Sequence, residues 1–287
     1  MKFTSLARLI PLSLMFAVAL GACGGSEAPP AESPTPPVSS APPPKEEPKP
    51  VEAKPEEPKY DVDFVEAKES PRIDKAPRVT IDVPGFNQFL PASLVKATRV
   101  RYKVQDWNQA PEGSYLQFVL DGKPARQVKD PTEKVMLTDI AGTEEMPEGE
   151  HIIAAFVVRP NHESIKSERG IAVRRFYVGK RIDGGWDSNK DPLIVVGSPH
   201  GQYSGDVLVD WYVLNATISG SEYSVRTVLK GPGIKEEGIQ RVITDWKPWI
   251  VLSAHEDGEY SVKMELLDPN GDPVPYGTVD RTFSVKR

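Results

Sequence analysis

The chain has 287 residues, a formal net charge of −6 at pH 7, 39% hydrophobic residues, 29 prolines, 22 glycines and one cysteine. A single cysteine excludes an intrachain disulfide, so whatever folds is held by its apolar core alone. The mildly acidic balance argues against nucleic acid and anionic lipid headgroups as main partners.

Residues 1–22 open with Lys2 and Arg8 and continue through an apolar run from Leu9 to Leu20. That run is shorter than the roughly 20 residues a membrane span needs, which predicts an export signal. Leu20-Gly21-Ala22-Cys23 then resembles the lipobox of bacterial lipoproteins. The resemblance implies cleavage between Ala22 and Cys23 and acyl chains on Cys23. It also implies a chain held on the cell membrane or outer membrane, facing the periplasm or the exterior. Each buried methylene contributes about 0.8 kcal/mol, so several chains anchor stably where one would not. Gly24 stands where an aspartate would, in enterobacterial sorting, favour the inner membrane, so the outer membrane is the expected destination. Cleavage removes Lys2 and Arg8 and no acid, taking the formal charge from −6 to −8.

From Glu27 to about Lys59 the chain is mostly Pro, Glu, Lys, Ala and Ser, with almost no large apolar side chains. Such a composition cannot bury enough surface to offset its conformational entropy. Residues 23–74 are therefore expected to be a lipidated, disordered tether, advancing about 3.1 Å per residue where fully extended.

Beyond Pro71 apolar and polar residues alternate. Val100, Tyr102 and Val104 oppose Arg101 and Lys103, and Val207, Val209, Trp211 and Val213 repeat the pattern, as half-buried strands do. The same alternation puts Asp210 on an outward face. The two halves match at a constant offset of 109 over about sixty residues: Val100, Val104, Leu120, Gly149 and Pro160 meet Val209, Val213, Leu229, Gly258 and Pro269. This predicts one β domain built twice, over 75–179 and 192–287, with 180–191 as the interdomain linker. Size and strand spacing are those of an immunoglobulin-like sandwich. Glu256-Asp257-Gly258-Glu259-Tyr260-Ser261-Val262 resembles the acidic-x-Gly-x-Tyr-x-Cys run that opens strand F of that fold. There the tyrosine hydroxyl bonds back to the preceding turn. Here Val262 replaces the cysteine, and the first copy has His151 for the tyrosine and Ile153 for the cysteine. The expected fold is all-β, two tandem immunoglobulin-like β-sandwiches after a signal peptide and a disordered linker.

Reactive groups are sparse. The histidines are His151, His162, His200 and His255, without a second ligand at i+2 or i+4, so no metal site is expected. No Gly-x-Ser-x-Gly elbow and no phosphate-cradling Gly-x-x-x-x-Gly-Lys loop occur, so neither catalytic residues nor a cofactor are assigned. The pairs Glu144-Glu145 and Glu236-Glu237 read as solvated turn acids.

Two features bear on binding. The loop Arg159-Pro160-Asn161-His162-Glu163-Ser164-Ile165-Lys166-Ser167-Glu168-Arg169 is far more charged than its counterpart Asp268-Pro269-Asn270-Gly271-Asp272-Pro273. Arg159, His162, Glu163, Lys166 and Arg169 are thus a candidate binding loop, or a charged hairpin that keeps the domain soluble. Trp246 and Trp249, flanking Lys247-Pro248, could stack a glycan, but the repeat sets them opposite Leu137 and Ile140, which favours a core role. Trp186 could stack likewise or pack between the domains. The sequence thus reads as a non-enzymatic envelope lipoprotein that binds or scaffolds an unidentified envelope protein. A carbohydrate-binding module for cell-wall or extracellular glycan is the alternative.

Overall fold

The computed structural model describes residues 62–167, 169–252 and 256–287. The signal segment, Cys23 and most of the tether therefore lie outside the described residues. A short strand β1 (Asp63–Glu66) precedes two sets of eight strands. The first set is β2 (Arg78–Val83), β3 (Gln88–Leu90), β4 (Arg99–Gln105), β5 (Tyr115–Leu120), β6 (Lys123–Val128), β7 (Val135–Met136), β8 (Gly149–Val158) and β9 (Ile171–Val178), with a short helix α1 (Leu137–Ala141) after β7. The second set is β10 (Leu193–Ser198), β11 (Gly201–Tyr203), β12 (Val207–Leu214), β13 (Ser224–Lys230), β14 (Ile239–Ile243), β15 (Trp249–Leu252), β16 (Gly258–Leu267) and β17 (Pro273–Val285).

Each set closes into an immunoglobulin-like sandwich, so the expected all-β, tandem architecture stands. In the first, the sheet β2-β4-β7 covers the sheet β3-β9-β8-β5-β6. In the second, β10-β12-β15 covers β11-β17-β16-β13-β14. The two strand orders coincide element for element, including the parallel pairing of β3 with β9 and of β11 with β17. Alternation explains the faces: Val225, Thr227 and Leu229 of β13 are buried, with half-buried residues between them. Each sandwich has its own core, Leu116, Phe118, Ile153 and Phe176 in the first and Val209, Trp211, Val262 and Phe283 in the second.

The residue register confirms the repeat at some strands and corrects it at others. Leu120 pairs with Ile153 as Leu229 pairs with Val262, which is the offset read from sequence. Between these strands the match is not gapless. Leu120 closes onto Lys123, whereas Leu229 closes onto Ile239 across a longer hairpin. The first copy makes up the length with α1 and the turn after it. Val100 pairs with Val135 and Val209 with Trp249, so Trp249 answers Val135 rather than Ile140.

The described part of the tether is also folded. Asp63–Glu66 pairs antiparallel with β15, and Val62 and Phe64 enter the second core. Apolar residues at period 2 suffice to add an edge strand where a sheet offers one. Asp63 binds Arg241 at 2.8 Å and Glu66 binds Lys247 at 2.9 Å, which pins the segment to the second sandwich.

The slot shared by His151 and Tyr260 performs the same task with different atoms. Tyr260 donates its hydroxyl to the Glu256 carbonyl at 3.0 Å, four residues earlier. His151 reaches the Pro147 carbonyl at 2.8 Å, also four residues earlier, and Asp121 Oδ2 at 2.7 Å through its other nitrogen. Both partners only accept, so the ring satisfies both of them only as an imidazolium. Burial opposes that charge, but Asp121 and Pro147 outweigh it and raise the pKa above 6.5.

Candidate functional site

The seam between the sandwiches is built by strands that are buried on both faces. All six residues of β5 and all six of β10 are buried, because the side chains pointing away from their own cores meet one another. Tyr115, Val119, Phe156 and Val173 of the first sandwich pack on Leu193, Val195 and Tyr212 of the second. Phe156 and Tyr212 stand with ring centroids 5.1 Å apart. Gly197 of β10 lies so close that a Cβ there would sit 2.9 Å from the Phe156 ring. Trp186 closes the cluster from the linker, 1% exposed, with Nε1 donating to the Asp191 carbonyl at 3.0 Å. Of the two placements open to Trp186, the structure takes packing between the domains, and a ring so covered presents no face to a sugar.

The charged loop of the first copy crosses this seam. Tyr212 donates its hydroxyl to the Ile165 carbonyl at 3.0 Å. Asp210 does point away from its own core, as alternation requires, yet it is 0% exposed because the loop lies over it. Lys166 Nζ approaches Asp210 Oδ1 at 3.0 Å and Oδ2 at 3.2 Å. Ser164 donates its backbone N–H to Asp210 Oδ2 at 3.1 Å and its hydroxyl to the same oxygen, and Lys166 Nζ donates to the Ser164 hydroxyl. The Lys166 ammonium also sits 3.8 Å from the Tyr212 ring centroid and 4.6 Å from that of Trp246. Burial lowers the Lys166 pKa and raises that of Asp210, each towards its neutral form, against the attraction between them.

The other loop residues are placed as follows. Glu163 is buried, 6% exposed, and accepts from the backbone N–H and hydroxyl of Ser70. Arg159 donates to the Pro71 carbonyl at 2.7 Å. His162 meets the Tyr115 hydroxyl at 2.9 Å and the edge of the Tyr203 ring, and burial lowers its pKa. Arg169 is exposed, away from the seam cluster. Reading this loop as a free binding loop is thus corrected at Glu163 and Lys166: both are spent on holding segment 69–73 and the second sandwich. His200 joins the seam by another route, Nδ1 donating to the Gly197 carbonyl at 3.0 Å and Nε2 facing Gln127 at 2.9 Å. His255 lies outside the described residues.

Above the buried pair the surface opens into a groove of about 830 Å³. Arg159 and Glu163 to Ser167 of the loop, segment 69–73, the turn after β12 and Asp245-Trp246-Lys247 line it, and His162 does not. Trp246 is half-buried, its Nε1 donating to the Trp211 carbonyl at 2.9 Å, and part of its ring forms the groove wall. Trp249 packs against the second core and does not line the groove, so the two tryptophans do not form one platform. Among the described residues no cluster of three His, Cys, Asp or Glu could hold a metal, and no helix is long and apolar enough to cross a membrane.

Asp210 was not singled out in sequence as a site residue, although an acid within Val207-Leu208-Val209-Asp210-Trp211-Tyr212-Val213 is a signal in itself. Continuous apolar runs such as Leu193-Ile194-Val195-Val196 likewise mark strands covered on both sides.

No family model and no curated protein matches the chain. Among solved structures it is similar to the fibronectin(III)-like modules of Clostridium thermocellum CbhA, at 15% identity and a TM-score of 0.24, covering 72% of this chain and 94% of that one. It is also similar to the chicken CNTN1 FN1-FN3 domains, at 11% identity and a TM-score of 0.23 over 74% of this chain and 66% of that one. The Bacteroides ovatus mixed-linkage glucan utilization protein SGBP-B, in complex with a mixed-linkage heptasaccharide, matches at 11% identity and a TM-score of 0.20, over 80% of this chain and 48% of that one. Likenesses this remote carry no argument, and the fold rests on the strand order and register above.

Proposed function

We propose that this chain is a lipid-anchored protein of the bacterial cell envelope, and that its paired sandwiches form a non-enzymatic binding or scaffolding body. The observation that carries this reading is the groove over the seam, to which both sandwiches and segment 69–73 contribute. Concave sites shared by two domains are where ligands and partners commonly seat. Lys166, Ser164 and Asp210 beneath it are turned towards one another, with Ser164 1% exposed, so they support the wall rather than meet a substrate. The lipobox at Leu20-Gly21-Ala22-Cys23 supplies the anchor, with an envelope protein as the expected partner.

Two variants test this reading. Cys23→Ser should move the protein from the membrane to the soluble fraction, and a variant that still sediments with membrane contradicts the anchor. Charge reversal at Arg72, at the groove surface, should weaken retention of the native envelope partner by about tenfold. The unfolding midpoint should change little, because exposed ion pairs contribute at most about 1 kcal/mol. Undiminished retention contradicts the groove assignment. A glycan remains the second reading on one observation, the part of the Trp246 ring that faces the groove. Titration with cell-wall glycan fragments should then shift the tryptophan emission of the wild type and not of Trp246→Ala; an unchanged wild-type spectrum removes the glycan.

A further inference from the structure

Lys166 and Asp210 hold an amine and a carboxyl group in contact across the seam. Nζ lies 3.0 Å from one carboxylate oxygen and 3.2 Å from the other, so it stands astride the carboxyl group rather than at one end of it. Two donors from one residue, the N–H and hydroxyl of Ser164, converge on Oδ2. The Tyr212 and Trp246 rings wall the nitrogen, and Asp210 has no contact with solvent. Two reactive groups held at contact distance gain the advantage of an intramolecular reaction.

We propose that Lys166 and Asp210 are joined by an amide bond between Nζ and Cγ, which welds the loop of the first sandwich covalently to β12 of the second. The reaction needs no reagent beyond the two side chains. Ser164 accepts a proton from the ammonium and donates its own to Oδ2, and this relay turns the ion pair into a neutral amine beside a neutral carboxylic acid. The nitrogen lone pair then attacks Cγ, and negative charge develops on Oδ1, the oxygen that carries no proton. The C–Oδ2 bond breaks, and Oδ2 leaves as water with the proton it took from the Ser164 hydroxyl and one from the nitrogen, so that Oδ1 becomes the amide oxygen. No electron is gained or lost. The exit for that water is the groove, onto which the Lys166 side chain opens with 24% of its surface. Burial favours the neutral form of both partners, which is the direction the reaction requires. The product also removes the cost of keeping a charged pair out of water.

Peptide mapping of the purified full-length protein tests this directly. A tryptic digest should yield one branched peptide containing both Lys166 and Asp210, lighter by the mass of one water than its two linear components, with cleavage after Lys166 lost. Lys166→Arg keeps the positive charge, cannot form this bond, and should give the two linear peptides. Ser164→Ala should slow joining after refolding by on the order of a hundredfold, the scale of a lost proton relay. Wild-type protein that yields only linear peptides, with cleavage after Lys166 intact, overturns the proposal, and joining at an unchanged rate in Ser164→Ala overturns the relay.

Discussion

At the scale of single residues, the charged groups of this protein are placed where a carboxylate or a carbonyl has been arranged to receive them. His151 is the clearest case, because its 5%-exposed ring donates to Asp121 and Pro147 together. A pKa raised above 6.5 means the contribution is full below the unfolded value and is lost as pH rises through the folded one. Asp121→Asn should therefore cost about 1–3 kcal/mol near pH 5.5, and the deficit should shrink towards alkaline pH. Urea denaturation of both proteins across that range checks it, and a deficit that grows with pH contradicts the imidazolium. The tie between His151 and its turn could be read from the equivalence with Tyr260; the second tie, to Asp121, could not. It depends on a hairpin turn thirty residues away coming alongside in the fold.

At the scale of elements, the strands and their repetition were legible because period-2 alternation leaves a strong imprint on β4, β12 and β13. What alternation could not give was the partner of an outward face. Asp210 and Tyr212 point out of their own sandwich and are buried only because another element arrives there. The length changes between β5 and β8 escaped for a related reason: a longer hairpin in one copy and α1 in the other cancel, so the registers on either side agree and the middle is misaligned. The seam has a sensitive point at Gly197, where β10 passes against Phe156. Gly197→Val should force the strand and ring apart and destabilise the protein by roughly 1–3 kcal/mol. It should also speed proteolysis after the exposed Lys180 and Arg181 in the linker, because undocking frees the segment that Trp186 ties into the seam. Unchanged proteolysis together with unchanged stability would show that the strand and ring are not in contact.

At the scale of the whole molecule, the sequence read as a sandwich built twice and left open whether the two copies dock. The described residues belong to one compact unit. Three independent features join its halves: the apolar seam around Phe156 and Tyr212, the Lys166–Asp210 pair, and β1, which crosses from the start of the first domain to the second sheet. Interfaces between tandem domains are usually polar and loose, so a buried apolar seam with an aromatic centre marks a fixed geometry. Fixed geometry is what a groove made from both halves needs, since a hinge between them would open it. The most direct test is calorimetric unfolding of the mature chain. One transition should appear, with the calorimetric enthalpy equal to the van't Hoff enthalpy for both sandwiches together. Two resolved transitions, each with the enthalpy of a single sandwich, would contradict the account.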